Sequence, residues 1–144
     1  MEENFFKPLN MDSAGFLLTP DVKESIARGY GPDRQTELPY WHVALRPSGA
    51  LHATPREVGN FIQMMLKRGE AGGRRLLRGE SIDLMQSSIP TLGGEAGLEV
   101  GYGLGNSGRV KDGFVSYGHN GISEWGVAEL RYFPALGVGY SISI

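Results

Sequence analysis

Cysteine is absent from the 144 residues, which excludes disulfides and thiolate metal sites and removes any redox clue to compartment. No stretch approaches the roughly 18 consecutive apolar residues that a membrane-spanning helix needs, so no segment of the sequence is read as crossing a bilayer. The opening MEENFFKPLN carries neither the basic start nor the apolar run of a secretory signal. An excess of either charge is missing too. The 14 basic and 16 acidic residues are interspersed and leave a formal charge of -2, which provides no basic footprint for nucleic acid or for an anionic membrane surface. Glycine is plentiful, 22 residues against an average usage of about 7 per cent. It is scattered through candidate turns without a repeat, which reads as many tight turns in an ordered chain. The length is that of one ordinary domain able to bury a core.

The clearest element runs from Thr54 to about Arg68. Thr54 and Glu57 spell the T-x-x-E capping box, and Pro55 takes the first helical position. Val58, Phe61, Ile62, Met65 and Leu66 then fall on one apolar stripe, with Arg56, Asn60, Gln63 and Lys67 facing away. Lys67 and Arg68 complement the helix dipole and Gly69 supplies the stop. Met64 and Met65 are read as core filler. Leu76-Leu77, Glu80, Ile82, Leu84 and Met85 predict a second, shorter helix ending near Ser87, its start weakened by Gly79 and its continuation barred by Pro90.

From Leu98 the period becomes two. Leu98, Val100, Tyr102 and Leu104 alternate with Glu99, Gly101 and Gly103, predicting a half-buried strand. A further strand is predicted over Phe114 to His119. Glu129 to Phe133, the turn Pro134-Ala135-Leu136-Gly137 and Val138 to Ile144 predict a hairpin in which Val138, Tyr140, Ile142 and Ile144 share a face. The expectation is an α+β chain: a mainly helical and loop part over 1–95, then antiparallel strands over 96–144. Both ends read as cut. Phe5, Phe6 and Leu9 resemble the last turn of a helix that Pro8 prevents from continuing, and Ile144 stops within an apolar strand.

Three groups of residues compete as carriers of chemistry. Gly103-Leu-Gly105-Asn-Ser-Gly108 spells G-x-G-x-x-G, which has meaning for dinucleotides only where a strand ends and a helix begins. Arg109-Val-Lys-Asp-Gly and a strand follow here, so it is read as a turn. His42, His52 and His119 match no metal-ligand spacing, so neither a metal nor another cofactor is expected. The third group is Gly118-His119-Asn120-Gly121, where flanking glycines let a ligand or a second backbone come close and the polar pair at a strand end can face a cleft. On its own, a lone histidine beside glycines is more often a turn residue with a satisfied ring.

Taken in order, Phe6-Lys-Pro-Leu-Asn-Met11 with Gly15-Phe16, Pro47-Ser-Gly-Ala-Leu51-His-Ala-Thr54, Leu76-Leu77, Gly101-Tyr-Gly-Leu-Gly105, Gly118-His-Asn-Gly121, Phe133-Pro134 and Gly137-Val138 resemble the serine beta-lactamase-like and penicillin-binding-protein superfamily. The resemblance covers nearly the whole chain and corresponds to the C-terminal portion of that fold, an antiparallel sheet with flanking helices. It implies acyl transfer on a beta-lactam, a D-alanyl peptide or an ester. The family's S-x-x-K and Y-x-N motifs have no counterpart among the serines and tyrosines here; only the third, H-x-G, is matched. By resemblance His119 stabilises charge or orients substrate, Asn120 offers hydrogen bonds, Gly121 leaves room for the acyl group, and Ile122 donates its backbone N–H to the oxyanion hole. Two positions depart from the pattern: glycine is frequent where Ile122 stands, and Ser-Pro where Arg78-Gly79 stands.

The resemblance therefore implies a C-terminal fragment of a serine hydrolase, inert without its nucleophile, whose partners are a small-molecule, peptide or ester substrate and the missing N-terminal half of the same fold. Many relatives of this kind are exported. The competing expectation is a catalytically inactive relative that binds peptidoglycan or protein through Tyr40, Trp41, Tyr117 and Trp125.

Overall fold

The strongest signal in the sequence becomes the central helix of the computed structural model, which describes residues 1–41, 43–87, 92–97, 101–124 and 126–144. Thr54 Oγ1 accepts from the Glu57 N–H at 3.3 Å, and the Glu57 carboxylate accepts from the Thr54 N–H at 2.7 Å. This capping box opens a helix over Pro55–Leu66. Around it lie shorter elements: α1 (Pro20–Ser25), α2 (Arg46–Gly49), the central helix as α3, the hairpin β1 (Glu70–Ala71) and β2 (Arg74–Arg75), α4 (Gly79–Gln86) and α5 (Leu92–Glu95). The chain then runs through β3 (Gly101–Tyr102), β4 (Ser107–Lys111), β5 (Phe114–Ser123), β6 (Gly126–Phe133) and β7 (Val138–Ser143). These five strands form one antiparallel sheet in sequence order. The α+β class expected from the change of period is the class observed. No helix among the described residues is long and apolar enough to cross a membrane.

The helix α3 sits between the sheet and the N-terminal turns. A glycine makes the sheet contact possible: a Cβ at Gly139 would lie 2.5 Å from Ile62 Cγ2 and 2.8 Å from the Arg131 carbonyl oxygen. On its other flank α3 meets a π-helical turn over Glu2–Phe6 and a 3-10 turn over Lys7–Leu9, which contains the Pro8 that bars a longer helix. Covered on two sides, the helix buries more than the predicted stripe. Met64 is buried beside Met65, and Asn60, read as facing away, donates from Nδ2 to the Leu9 carbonyl at 2.9 Å. The core comprises Phe6, Leu9, Met11, Ile62, Met64, Met65, Ile82 and Tyr132. Tyr132 is fully buried, and its hydroxyl accepts from Asn106 Nδ2 at 2.7 Å and Gln86 Nε2 at 3.2 Å. That satisfies the polar tip of a ring otherwise surrounded by apolar atoms.

Some boundaries differ from the sequence reading. Leu76-Leu77 precede the second helix and do not join it, because the chain first makes the β1–β2 hairpin, turning at Gly72 and Gly73 with φ of 55° and 74°. Thr19 caps α1 by accepting from the Val22 N–H at 3.3 Å, with Pro20 next; this repeats the Thr54-Pro55 signature on a helix too short for a periodic stripe. The strand β5 continues four residues past His119 to Ser123. Of the strand predicted from Leu98, residues 98–100 lie outside the described residues, as does Pro90, and β3 covers only Gly101–Tyr102. Val138, Tyr140, Ile142 and Ile144 do share a face, and that face is exposed.

Glu57 ties the helix to the loop before it. One carboxylate oxygen accepts from the backbone N–H and the hydroxyl of Ser13 at 2.7 and 2.8 Å; the other accepts from Thr54 N–H and hydroxyl at 2.7 and 2.9 Å. Burial pushes this carboxyl up, but the bonds from Thr54 and Ser13 outweigh it, so its pKa lies below the usual 4.5. Its contribution to stability is therefore complete above that value and is lost as pH falls through the lower folded value. Glu57→Gln leaves a buried donor facing an amide donor and should cost about 1–3 kcal/mol at neutral pH. Denaturant unfolding of both chains at pH 7 and at descending acid pH should show the gap closing, because protonated Glu57 has already lost the same bonds.

Candidate active site

The Gly118-His119-Asn120-Gly121 step occupies the middle of β5, and strand alternation separates its side chains. His119 and Gly121 share the face of Tyr117, which packs on Tyr132 with ring centroids 6.1 Å apart. Asn120 and Ile122 take the opposite face. There Asn120 Oδ1 accepts from Arg109 Nη2 at 3.4 Å, and Arg109 pairs with Glu129, the residue directly opposite Asn120 on β6. The side chain expected to offer hydrogen bonds thus spends its oxygen on a surface ion-pair network. His119 through Ile122 are all exposed.

Among the described residues, one edge of this segment's backbone has no partner strand. Val127 and Ile144 exchange both ladder bonds, at 2.8 and 3.0 Å, so alternate residues of β6 address β7 and the residues between them address β5. By register His119, Gly121 and Ser123 bond to Leu130, Ala128 and Gly126. Gly118, Asn120 and Ile122 therefore turn their N–H and C=O groups the other way, toward β4. But β4 begins at Ser107, paired with Gly118; beyond that rung no strand stands beside β5 among the described residues. The Asn120 and Ile122 N–H groups point along an open edge.

Arg131 fixes where that edge begins. Its side chain is almost wholly buried; Nη1 donates to the Ser107 carbonyl at 3.1 Å, Nη2 to Ser107 Oγ at 2.8 Å, and Nε to Glu129 at 3.2 Å. Ser107 Oγ in turn donates to the Gly118 carbonyl at 3.0 Å. Glu129 is shared by Arg109 and Arg131 and also accepts from the Tyr140 hydroxyl at 3.3 Å. Because nothing of β4 stands beside His119, Tyr102 reaches it from β3. Tyr102 Oη lies 2.7 Å from His119 Nε2, with the rings edge to face at 5.8 Å.

Among the described residues no group of His, Asp and Glu could hold a metal ion. His52 Nε2 bonds the Tyr40 hydroxyl at 2.9 Å, and His42 lies outside the described residues. Gly103 to Asn106 turn between β3 and β4, with Gly105 at φ 69°, Ser107 and Gly108 begin β4, and no helix opens. Of the aromatic residues considered for a binding surface, Trp41 is exposed, Tyr40 and Tyr117 are half-buried, and Trp125 lies outside the described residues. The sequence reading passed over Tyr102, Arg109, Glu129 and Arg131. Glu129 and Arg131 left a trace, opposite charges two apart on a strand whose other residues are mostly apolar.

The chain resembles known proteins in sequence and in fold. A family model described as Beta-lactamase matches residues 1–143. The beta-lactamase-like 1 protein of Homo sapiens is 39% identical over 79 residues, 54% of this chain and 15% of its own length. Among solved structures, the octameric penicillin-binding protein homologue from Pyrococcus abyssi superposes with a TM-score of 0.75 at 20% identity, over 99% of this chain and 32% of that one. A class C beta lactamase from Rhodobacter sphaeroides gives 0.68 at 13% identity, over 96% and 46%. These two likenesses are of fold. The chain spans less than half the length of each relative.

Two glycines in the step should respond oppositely to alanine. A Cβ at Gly118 would collide with the Leu130 carbonyl oxygen and lie 3.0 Å from Arg131 Cα, whereas nothing stands within 4 Å of one at Gly121. Thermal unfolding should show Gly121→Ala within about 0.5 kcal/mol of the parent and Gly118→Ala destabilised by about 2 kcal/mol or more, since the β5–β6 ladder must part.

Proposed function

The chain belongs to the beta-lactamase family, and from that premise we propose that it supplies one wall of a serine-hydrolase site performing acyl transfer on a beta-lactam, a D-alanyl peptide or an ester. The attacking serine comes from polypeptide outside these 144 residues, because no serine here has lysine three residues on and no tyrosine has asparagine two residues on. When a hydroxyl adds to a carbonyl, negative charge develops on the oxygen, and a donor already aimed there lowers the barrier. The Ile122 N–H is that donor. His119, on the adjoining face, stabilises charge or orients substrate, and Gly121, without a Cβ, leaves room for the acyl group. Asn120 acts through its backbone on the open edge, its side chain serving the Arg109–Glu129 network.

The observation that carries this reading is the edge of β5 beyond Gly118, which no described strand pairs: among the described residues the motif's outward backbone donors are not consumed in the sheet, which leaves them for a substrate carbonyl. A second reading, a peptidoglycan- or protein-binding module without catalysis, draws on the exposure of Trp41.

Proline provides the test, since it removes an N–H and is tolerated at a sheet edge. Residues 1–144 alone should not turn over a chromogenic beta-lactam or a p-nitrophenyl ester. Joined to a segment carrying S-x-x-K and Y-x-N, the protein should, and Ile122→Pro in it should lower kcat by about 10²–10³-fold while the circular dichroism spectrum is unchanged. Turnover by the isolated chain, or an undiminished proline variant, would contradict the assignment.

A further inference from the structure

A histidine on an exposed strand ordinarily turns freely about its second side-chain torsion and exchanges its proton between two ring nitrogens. His119 is held in both respects. Its Nε2 lies 2.7 Å from Tyr102 Oη, and the Tyr102 ring packs edge to face against the imidazole at a centroid distance of 5.8 Å. Among the described residues this is the one hydrogen bond of the His119 ring and the one hydrogen bond of the Tyr102 hydroxyl. A phenol is a stronger acid than a neutral imidazole N–H, so the favoured arrangement has Tyr102 donating and Nε2 accepting.

We propose that Tyr102 is the positioning residue of His119: its hydroxyl donates to Nε2 and so places the ring proton on Nδ1. The proposal rests on the hydrolase reading and deepens it, for it states which atom of His119 serves the substrate. With Nε2 engaged, Nδ1 is the nitrogen left for the site, and it carries hydrogen in either charge state. In the neutral ring the proton sits there because Nε2 accepts. In the imidazolium both nitrogens are protonated, and Nε2–H donates to Tyr102 Oη, which accepts after its own hydrogen turns away. His119 is thereby a hydrogen-bond donor to substrate or oxyanion across the pH range and is unsuited to be the general base.

The tautomer is read directly by long-range proton–nitrogen correlation spectra of the imidazoles in the nitrogen-15-labelled 144-residue chain, at a pH where the ring is neutral. His119 should carry its proton on Nδ1. Tyr102→Phe should move the population toward Nε2–H, while Tyr140→Phe, which removes a hydroxyl bonded to Glu129, should leave it unchanged. Tyr102 is about half exposed, so the phenylalanine variant keeps the core, and its amide spectrum checks that. In the joined, active protein Tyr102→Phe should lower kcat about tenfold with KM altered less than about twofold. An Nε2–H tautomer in the parent chain, or a population that Tyr102→Phe does not move, overturns the proposal whatever the activity. A tautomer shift as expected, in a joined protein that shows no turnover, overturns the hydrolase reading instead and leaves the hold of Tyr102 on the ring established.

Discussion

Arg131 is drawn almost wholly out of water, so its charge and its donors must be satisfied by protein, and they are satisfied at the point where β4 meets β5. A buried guanidinium left without partners would cost several kcal/mol. It therefore pins Ser107 in place, and Ser107 pins Gly118. Everything distinctive about the site follows from the position of that last rung. One residue later the strand has no neighbour on that side among the described residues, and the backbone groups of Asn120 and Ile122 face that edge while those of His119 and Gly121 stay in the ladder with β6. The catalytic reading needs both conditions at once: a strand rigid enough to aim a donor, and an edge open enough to receive a carbonyl.

Rigidity comes from the other side of the sheet. Ile62 of α3 lies where a side chain on Gly139 would be, and Tyr132, one strand closer to the site, is buried with its hydroxyl held by Asn106 and Gln86. Asn106 belongs to the turn that leads into β4, so one buried phenol links α4, the start of β4 and β6. The same turn ends the β3 segment that carries Tyr102. Packing of the core and placement of the His119 ring are thus parts of one arrangement.

How much of this was legible in the sequence depended on whether the signal was local. The capping box at Thr54 and Glu57 specifies its own geometry within four residues, and the helix formed as read. The alternation over Val138 to Ile144 likewise fixed a shared face. The Gly118 to Ile122 step was recognisable as residue types in order, yet its division between two faces and an edge depends on which strand bonds to which and where one of them stops. That is a matter of register across β4, β5 and β6. Tyr102 escaped because its role is to touch a residue 17 positions away, and nothing in its neighbourhood announces the contact. Arg131 was not singled out at all, since only the tertiary structure shows it withdrawn from solvent. The β1–β2 hairpin was within reach, since Gly72-Gly73 is a turn signal, but the two leucines that follow drew the reading toward a longer helix.

The sheet is a simple meander in which every strand pairs only with its neighbours in sequence. Such pairings close short loops, and the entropy lost in closing them is small compared with that of bringing together distant segments. The two-residue connection at Asp112-Gly113, with both residues at positive φ, is of the kind that forms hairpins on a microsecond scale. Among the contacts that cross long stretches of chain are those of α3 with β6 and β7. The strands can therefore close on one another at small entropic cost, whereas seating α3 at the notch left by a missing side chain must close a much longer loop.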